Sequence, residues 1–129
     1  MTKRATAIGE RISDAEHAVM EVLWEESPLT AAEVCARVCE RRDWSMPTVK
    51  TLLGRLVAKG AVETTAEGRR FHYTPIIARA DYVGHESQRL VDRLFGGRPA
   101  SLFAQLAESE ALSEADVAEI ERLLKEMRS

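Results

Sequence analysis

Residues 45–75 read SMPTVKTLLGRLVAKGAVETTAEGRRFHYTP and decide the fold of this 129-residue chain. Ser45 is a suitable N-cap, Pro47 falls in the first turn of a helix, and Gly60 suits a left-handed C-cap. After Gly60, two short runs of alternating polarity flank a turn, a pattern typical of a β-hairpin. The segment therefore predicts a helix followed by two antiparallel strands.

The predicted helix has two chemically different faces when its residues are set about 100° apart. One face is apolar and suits a protein core. The other is small, hydroxylated and basic, which are the properties of a helix that lies in a DNA major groove. The apolar face carries Val49, Leu52, Leu53, Leu56 and Val57, and the outer face carries Pro47, Thr48, Lys50, Thr51, Gly54 and Arg55.

The hairpin carries two arginines beside its turn, where they can reach phosphate or a minor groove. Strict alternation puts Arg70 and His72 on one side of the second strand and Arg69, Phe71 and Tyr73 on the other. We expect Phe71 and Tyr73 to face the core, so one arginine near the turn must depart from strict alternation. Of the two arginines, we favour Arg70 for DNA contact. The hairpin is thus predicted to be a wing.

Two capping boxes upstream predict two further helices, one starting after Ser13 and one after Thr30. Pro28 ends the first, and residues 27–29 suit a very short strand. The order helix, strand, helix, helix, hairpin is that of a winged helix-turn-helix. We therefore predict a mainly α fold with a small β-hairpin wing, and a winged-helix DNA-binding domain over residues 10–77.

Residues 78–129 are predicted to form a helical dimerisation domain. The pattern indicates helices over about 78–95 and 99–107 and a third capped by Ser113. Some fifty residues bury too little surface to be stable alone, and a second copy of the chain is the simplest partner for their apolar stripes. The predicted dimerisation residues are Tyr82, Leu90, Leu94, Phe95, Leu102, Phe103, Leu106, Ile120, Leu123 and Leu124.

Charge is distributed unevenly along a chain whose formal net charge is −3. Residues 41–75 hold seven Lys and Arg against three acids, whereas residues 78–129 hold seven against ten. The basic excess therefore coincides with the predicted helix and wing, as expected of a DNA-binding surface. The predicted DNA-binding residues are Ser45, Thr48, Lys50, Thr51, Arg55, Arg69 and Arg70.

The N-terminal segment MTKRATAIGE lacks the apolar region of a secretory signal, and we expect it to be disordered as far as Ile12. No apolar run approaches the roughly 20 residues of a membrane span. A cytoplasmic location follows as an expectation, and with it two reduced cysteines rather than a disulfide.

Cys35 and Cys39 lie four residues apart on one helix. We favour small, buried packing residues over a metal or redox sensor, because only three histidines exist and none is near in sequence. Neither a phosphate-binding loop nor a nucleophile with a nearby base is apparent, so we expect no enzyme, no cofactor and no metal. Two alternatives stay open: a thiol- or metal-responsive regulator using these cysteines, and a winged helix that binds only proteins.

From about Ile12 to Met127, the sequence resembles the BlaI/MecI/CopY family of bacterial transcriptional repressors. The segment WSMPTVKTLLGRLVAKG and the strand end YTP carry the most specific part of the resemblance. Members of that family bind palindromic operators as homodimers through a winged helix. The resemblance implies DNA contacts from Thr48, Lys50, Thr51 and Arg55, with Arg70 on the wing.

Two departures from the family pattern concern the inducing signal. Antibiotic-responsive members are cleaved at an Asn-Phe pair after a membrane sensor protease is triggered, whereas this chain has Gln105-Leu106 at that place. Copper-responsive members carry C-terminal Cys-x-Cys pairs, whereas this chain ends in LLKEMRS. A membrane sensor protease system stays a candidate partner, and the inducer stays open.

Overall fold

The computed structural model describes residues 11–129, and the predicted disorder before Ile12 falls almost entirely outside that range. The predicted order of elements is confirmed, with the hairpin forming a wing after the third helix. The elements are α1 (Asp14–Glu25), β1 (Leu29–Thr30), α2 (Ala31–Arg42), α3 (Met46–Ala58), β2 (Val62–Glu67), β3 (Arg70–Pro75), α4 (Arg79–Phe95), α5 (Pro99–Glu108) and α6 (Glu114–Arg128).

Capping boxes start three of these helices, because a hydroxyl and a carboxylate three residues apart satisfy each other's backbone N–H groups. At α1, the Ser13 N–H donates to Glu16 Oε1 at 2.9 Å and the Glu16 N–H donates to Ser13 Oγ at 3.1 Å. The same reciprocal pair starts α2 and α6. The pairs there are Thr30 with Glu33 and Ser113 with Asp116.

The three strands form one antiparallel sheet in the order β1-β3-β2. β1 is only two residues long and pairs with β3, with Leu29 opposite Tyr73. The hairpin pairs Glu67 with Arg70 across a turn in which Gly68 has φ +64°, a conformation that glycine adopts at little cost. β3 is therefore the central strand, and β2 forms the free edge of the wing.

The core lies between the helices and the base of the wing. Met20 and Leu23 of α1, Val34 of α2 and Leu53 and Leu56 of α3 are all fully buried in it. Burying side chains of this size contributes about 1.5–3 kcal/mol each. This core fixes α3 by its inner face and leaves the opposite face outside.

Contacts divide the chain into two compact units, one ending at His85 and the other running from Glu86 to Ser129. α4 begins in the first unit and ends in the second, so this division falls eight residues after the domain boundary predicted at residues 77 and 78. The assignment of the two domains to DNA binding and dimerisation stays a prediction. Within residues 11–129, no helix is long and apolar enough to cross a membrane.

Candidate nucleic-acid interface

The outer face of α3 is solvent-exposed, as the sequence predicts. Lys50, Thr51 and Arg55 are exposed, and Thr48 is half-buried beside them. Gly54 lies on the same face, and a Cβ at that position would meet nothing within 4 Å. We call Thr48, Lys50, Thr51, Gly54 and Arg55 the outer face of α3. It offers hydroxyls, two cations and a bare stretch of backbone, which together permit close approach to base edges.

The inner face of α3 is buried, with one exception. Val49, Leu52, Leu53 and Leu56 lie in the core, but Val57 is 37% exposed, so the prediction that it faces the core was wrong. At 100° per residue, Val57 lies about 90° from the centre of the apolar stripe. Val57 therefore falls at the edge of the helix surface that the core covers.

The turn before α3 is short and well defined. Asp43 ends α2 in the left-handed conformation with φ 58°, and the Trp44 N–H donates to Cys39 O at 2.9 Å. Ser45 has the extended backbone of an N-cap, but its hydroxyl makes no capping hydrogen bond and instead lies 3.2 Å from Thr48 Oγ1. The Ser45 hydroxyl is exposed at the start of the outer face.

A partly buried ion pair fixes the C-terminal end of α3. Lys59 Nζ, in the C-cap residue, donates to Glu16 Oε1 at 2.6 Å and to the Arg11 carbonyl oxygen at 2.6 Å. Glu16 is 2% exposed, and its burial raises the pKa of its carboxyl. The hydrogen bonds from Lys59 and from the Ser13 N–H outweigh burial, so the pKa of Glu16 lies below its ordinary value of 4.5. Glu16 thus joins the start of α1 to the end of α3.

Glu16→Gln is expected to lower the free energy of unfolding by about 2 kcal/mol at pH 7, because it leaves the partly buried Lys59 ammonium without its carboxylate. Since folding lowers the pKa of Glu16, its stabilisation is present above pH 4.5 and is lost as pH falls through the lowered value. The difference between wild type and variant in urea unfolding should therefore shrink as the pH falls below 4.5. Glu25→Gln, at an exposed carboxylate of the same helix, is the control. A difference that is the same at every pH contradicts this role.

The wing projects beyond the core, and both of its arginines are exposed. Arg69 occupies the turn and Arg70 is the first residue of β3. The prediction that Phe71 faces the core was wrong, since its side chain is 57% exposed. Phe71 pairs with Ala66 near the tip of the hairpin, whereas Tyr73, two residues closer to the base, packs against the core. Phe71 lies on the same side of β3 as the core-packed Tyr73, but the core does not extend as far as Phe71.

The basic residues of the outer face and wing differ from Arg37 and Arg79, whose charges are neutralised by carboxylates. Arg37 pairs with Glu26 at 2.7 Å, and Arg79 pairs with Glu21 at 3.0 Å. Within residues 11–129, neither Lys50 nor Arg55 forms an ion pair, and the same holds for the two wing arginines. Their positive charge is therefore available to a polyanion.

The two cysteines differ from the prediction of reduced thiols. Cys35 and Cys39 form a disulfide within α2, with their Cα atoms 4.9 Å apart. Both side chains are half-buried and pack against the core, which agrees with the expected packing role. No group of three or more His, Cys, Asp or Glu within residues 11–129 suits a metal ion. The structure thus gives the metal-responsive alternative no site among these residues.

One predicted dimerisation residue lies in the first unit. Tyr82 is buried, with its ring centroid 5.5 Å from that of His17 and 5.6 Å from that of Trp24. The indole Nε1–H of Trp24 donates to the Ile77 carbonyl oxygen at 2.8 Å, so Trp24 is held beside Tyr82 and His17 in one aromatic cluster. This packing corrects the prediction that Tyr82 faces a second copy, because its ring already contacts its own chain.

The other predicted dimerisation residues lie in α4, α5 and α6, and many remain open to solvent. Phe103 is 46% exposed on α5, and Leu124 is 51% exposed on α6. Between these two helices runs an apolar groove of about 500 Å³. Of the remaining predicted residues, Leu94 and Leu123 are exposed, and Leu90, Phe95, Leu102, Leu106 and Ile120 are half-buried.

Comparison with known proteins assigns the chain to a family. Residues 12–126 match the sequence model of the family described as Penicillinase repressor. The chain belongs to the penicillinase repressor family. It is therefore a DNA-binding transcriptional repressor and not an enzyme, which confirms that part of the sequence analysis.

Relatives of this repressor span nearly its whole length. It is 35% identical over 119 residues to the penicillinase repressor of Bacillus licheniformis, covering 92% of this chain and 93% of that protein. It is 27% identical over 113 residues to the methicillin resistance regulatory protein MecI of Staphylococcus aureus strain N315, covering 88% and 92%. The family membership also removes the alternative of a winged helix that binds only proteins.

Solved structures of one relative match the first unit of the repressor. The DNA-binding domain of the repressor BlaI superposes with a TM-score of 0.52 at 44% identity, covering 56% of this chain and 88% of that one. The monomeric form of Bacillus licheniformis BlaI, in complex with the blaP half-operator, matches with a TM-score of 0.50 at 44% identity, covering 57% and 89%. These matches confirm the winged helix-turn-helix.

Proposed function

We propose that this repressor acts as a homodimer on a palindromic operator and places α3 of each protomer in a major groove. The observation that carries the proposal is the outer face of α3, where exposed Lys50 and Arg55 have no ionic partner within residues 11–129. A core-facing inner surface holds this helix rigid, so its outer side chains start from defined positions. The monomeric form of the relative BlaI binds the blaP half-operator, which supports operator binding by this repressor.

Each side chain of the outer face has a chemistry suited to one part of the groove. Arg55 can donate two parallel hydrogen bonds to a guanine, and the methyl groups of Thr48 and Thr51 suit a thymine methyl. Lys50 lies closer to the edge of the face and suits a phosphate, as does the exposed Ser45 hydroxyl. Arg69 and Arg70 on the wing suit phosphate or an adjacent minor groove.

The homodimer would set the spacing of the operator. Two-fold symmetry puts both copies of α3 on one side of the duplex, so the half-sites should lie a whole number of helical turns apart, about 10 bp each. The acidic second unit would supply the dimer contacts through the apolar groove between α5 and α6. A protein that binds operator DNA works where the chromosome is, and we infer a cytoplasmic location.

Selection from random-sequence duplexes, followed by footprinting of the recovered DNA, tests this proposal. We expect a palindromic consensus, protection on one side of the duplex and an affinity that falls steeply with salt. Recovery of no preferred sequence, or of a single unrepeated half-site, would overturn it.

Arg55→Ala is expected to weaken binding to the selected duplex by about 1–3 kcal/mol and to relax base preference at one position in each half-site. The reason is that the bidentate guanine contact is lost while the other contacts remain. Fluorescence anisotropy against a set of single-base variants of the duplex measures both effects. Arg128→Ala removes an equal charge from the exposed end of α6 and serves as the control. Uniform weakening across all duplexes would show instead that Arg55 contacts phosphate.

A membrane sensor protease stays a proposed partner, with Gln105-Leu106 as the candidate cleavage peptide. Gln105 is exposed on α5 and Leu106 is half-buried. Cleavage there would separate α6 from the rest of the chain and remove one wall of the apolar groove. A gene for such a protease beside the gene for this repressor would favour this route, and its absence would count against it.

A further inference from the structure

The disulfide between Cys35 and Cys39 lies where it can alter the approach to α3. A regular α-helix holds the Cα atoms of residues i and i+4 about 6.2 Å apart, from its rise and radius. The corresponding distance here is 4.9 Å. With the bond formed, the last turns of α2 are therefore roughly 1.3 Å shorter than those of a regular helix. Opening the bond allows this segment to lengthen.

The shortened segment of α2 leads directly into α3. The carbonyl oxygen of Cys39 accepts hydrogen bonds from the N–H groups of Asp43 and Trp44. Trp44 packs against the core, and Ser45 begins α3 one residue later. A displacement at Cys39 thus passes through two hydrogen bonds and one packed ring to the outer face of α3. Misplacing base-contacting side chains by about 1 Å is enough to degrade hydrogen-bond geometry.

The surroundings of the cysteines suit reversible oxidation. Both side chains are half-buried rather than sealed in the core. Arg42 follows Cys39 by three residues on the same side of α2, and a nearby cation favours the thiolate. The chain has only these two cysteines, so no third thiol competes for the bond.

We propose that Cys35 and Cys39 are an oxidative modification site through which a peroxide weakens operator binding. This inference depends on the proposed DNA-binding function. One thiolate attacks the peroxide, an S–O bond forms as the O–O bond breaks, and the products are a sulfenic acid and a hydroxide, which takes a proton from solvent to give one water. The second thiol displaces that hydroxyl, which forms the S–S bond and releases a second water. The cysteines lose two electrons in total and the peroxide gains them, and a dithiol reductant reverses the step by exchange.

The direction of the effect follows from the compartment. Where a chromosome is transcribed, glutathione and thioredoxin keep thiols reduced, so a disulfide there is a transient signal rather than the resting state. The reduced form, with a relaxed α2, should therefore be the operator-binding form. The disulfide form holds the contracted helix end and should release DNA.

The test compares the full chain reduced with a phosphine against the same chain oxidised with hydrogen peroxide. Intact mass after thiol alkylation reports whether an intramolecular disulfide has formed, and anisotropy on the selected duplex reports affinity. We expect oxidation to weaken binding at least about fivefold and a dithiol to restore it. The Cys35→Ser, Cys39→Ser double variant should bind like the reduced chain and ignore peroxide, which controls for methionine oxidation.

The outcomes separate this inference from the proposed function. Failure to form the disulfide overturns the modification site. Equal affinity of the two forms, or tighter binding by the oxidised form, overturns its regulatory effect. If neither the reduced chain nor the double variant binds any selected duplex, the proposed DNA-binding mode itself fails.

Discussion

Phe103→Asp is expected to convert the proposed homodimer into monomers and to weaken operator binding roughly 100-fold or more. Phe103 is exposed on α5 and lines the apolar groove of the second unit. A carboxylate placed there has to be desolvated when a second copy covers the groove. Losing the dimer removes the high effective concentration of the second α3 at its half-site. Analytical ultracentrifugation measures the oligomeric state, and anisotropy on the full palindrome measures the affinity.

Gln105→Asp provides a matched control, because it adds the same charge two residues along α5 on the other side of the helix. It should leave the dimer and the affinity close to wild type. Binding of Phe103→Asp to an isolated half-site should also be unchanged, since the first unit is untouched. A dimeric Phe103→Asp with full affinity would place the dimer contacts away from this groove.

Leu53→Ala is expected to lower the free energy of unfolding by about 3 kcal/mol. Leu53 is fully buried on the inner face of α3, so truncation loses transfer free energy and leaves a cavity. That loss is a large share of the roughly 5–15 kcal/mol that stabilises a typical domain. Urea unfolding followed by circular dichroism measures it.

Val57→Ala is the comparison for this prediction, because it also truncates an apolar side chain of α3. Its side chain is partly exposed at the edge of the helix, and we expect a loss below about 1 kcal/mol. Losses of equal size for the two variants would mean that the inner face of α3 is not packed as described.

The sequence predicted the elements because each carries its own local signals. Ser13 and Thr30 with their carboxylate partners start α1 and α2, and Pro47 and Gly60 bracket α3. These signals act within four residues of chain, so no knowledge of distant neighbours is needed to interpret them. Within residues 11–129, the helices lie where the sequence predicted them.

Predictions that depended on how far the core extends were less successful. Phe71 lies on the correct side of its strand but beyond the end of the buried surface, and Val57 lies at the angular edge of the apolar stripe of α3. Tyr82 shows the opposite error, since it was expected at a subunit interface and packs on His17 instead. Periodicity states which side of an element faces inward, but not where along that side the covering atoms end.

The pairing of Glu16 with Lys59 was also outside the reach of sequence analysis. The two residues are 43 positions apart, and each has a sufficient local explanation: Glu16 as a capping-box partner and Lys59 as a residue of the basic segment. Only the packing of α1 against α3 brings the ammonium and the carboxylate together. Long-range ion pairs leave no periodic trace in a sequence.

The amino-acid sequence alone determined the order of helices and strands, the two faces of α3 and the family resemblance, because these depend on spacing and short-range capping. The tertiary structure decided which of those side chains are buried or ion-paired within the fold. In the folded chain, Lys59 pairs with Glu16 and Tyr82 packs against Trp24. Within residues 11–129, Lys50 and Arg55 have no ionic partner. Burial and pairing are set by residues distant along the chain, and those neighbours exist only once the chain has folded.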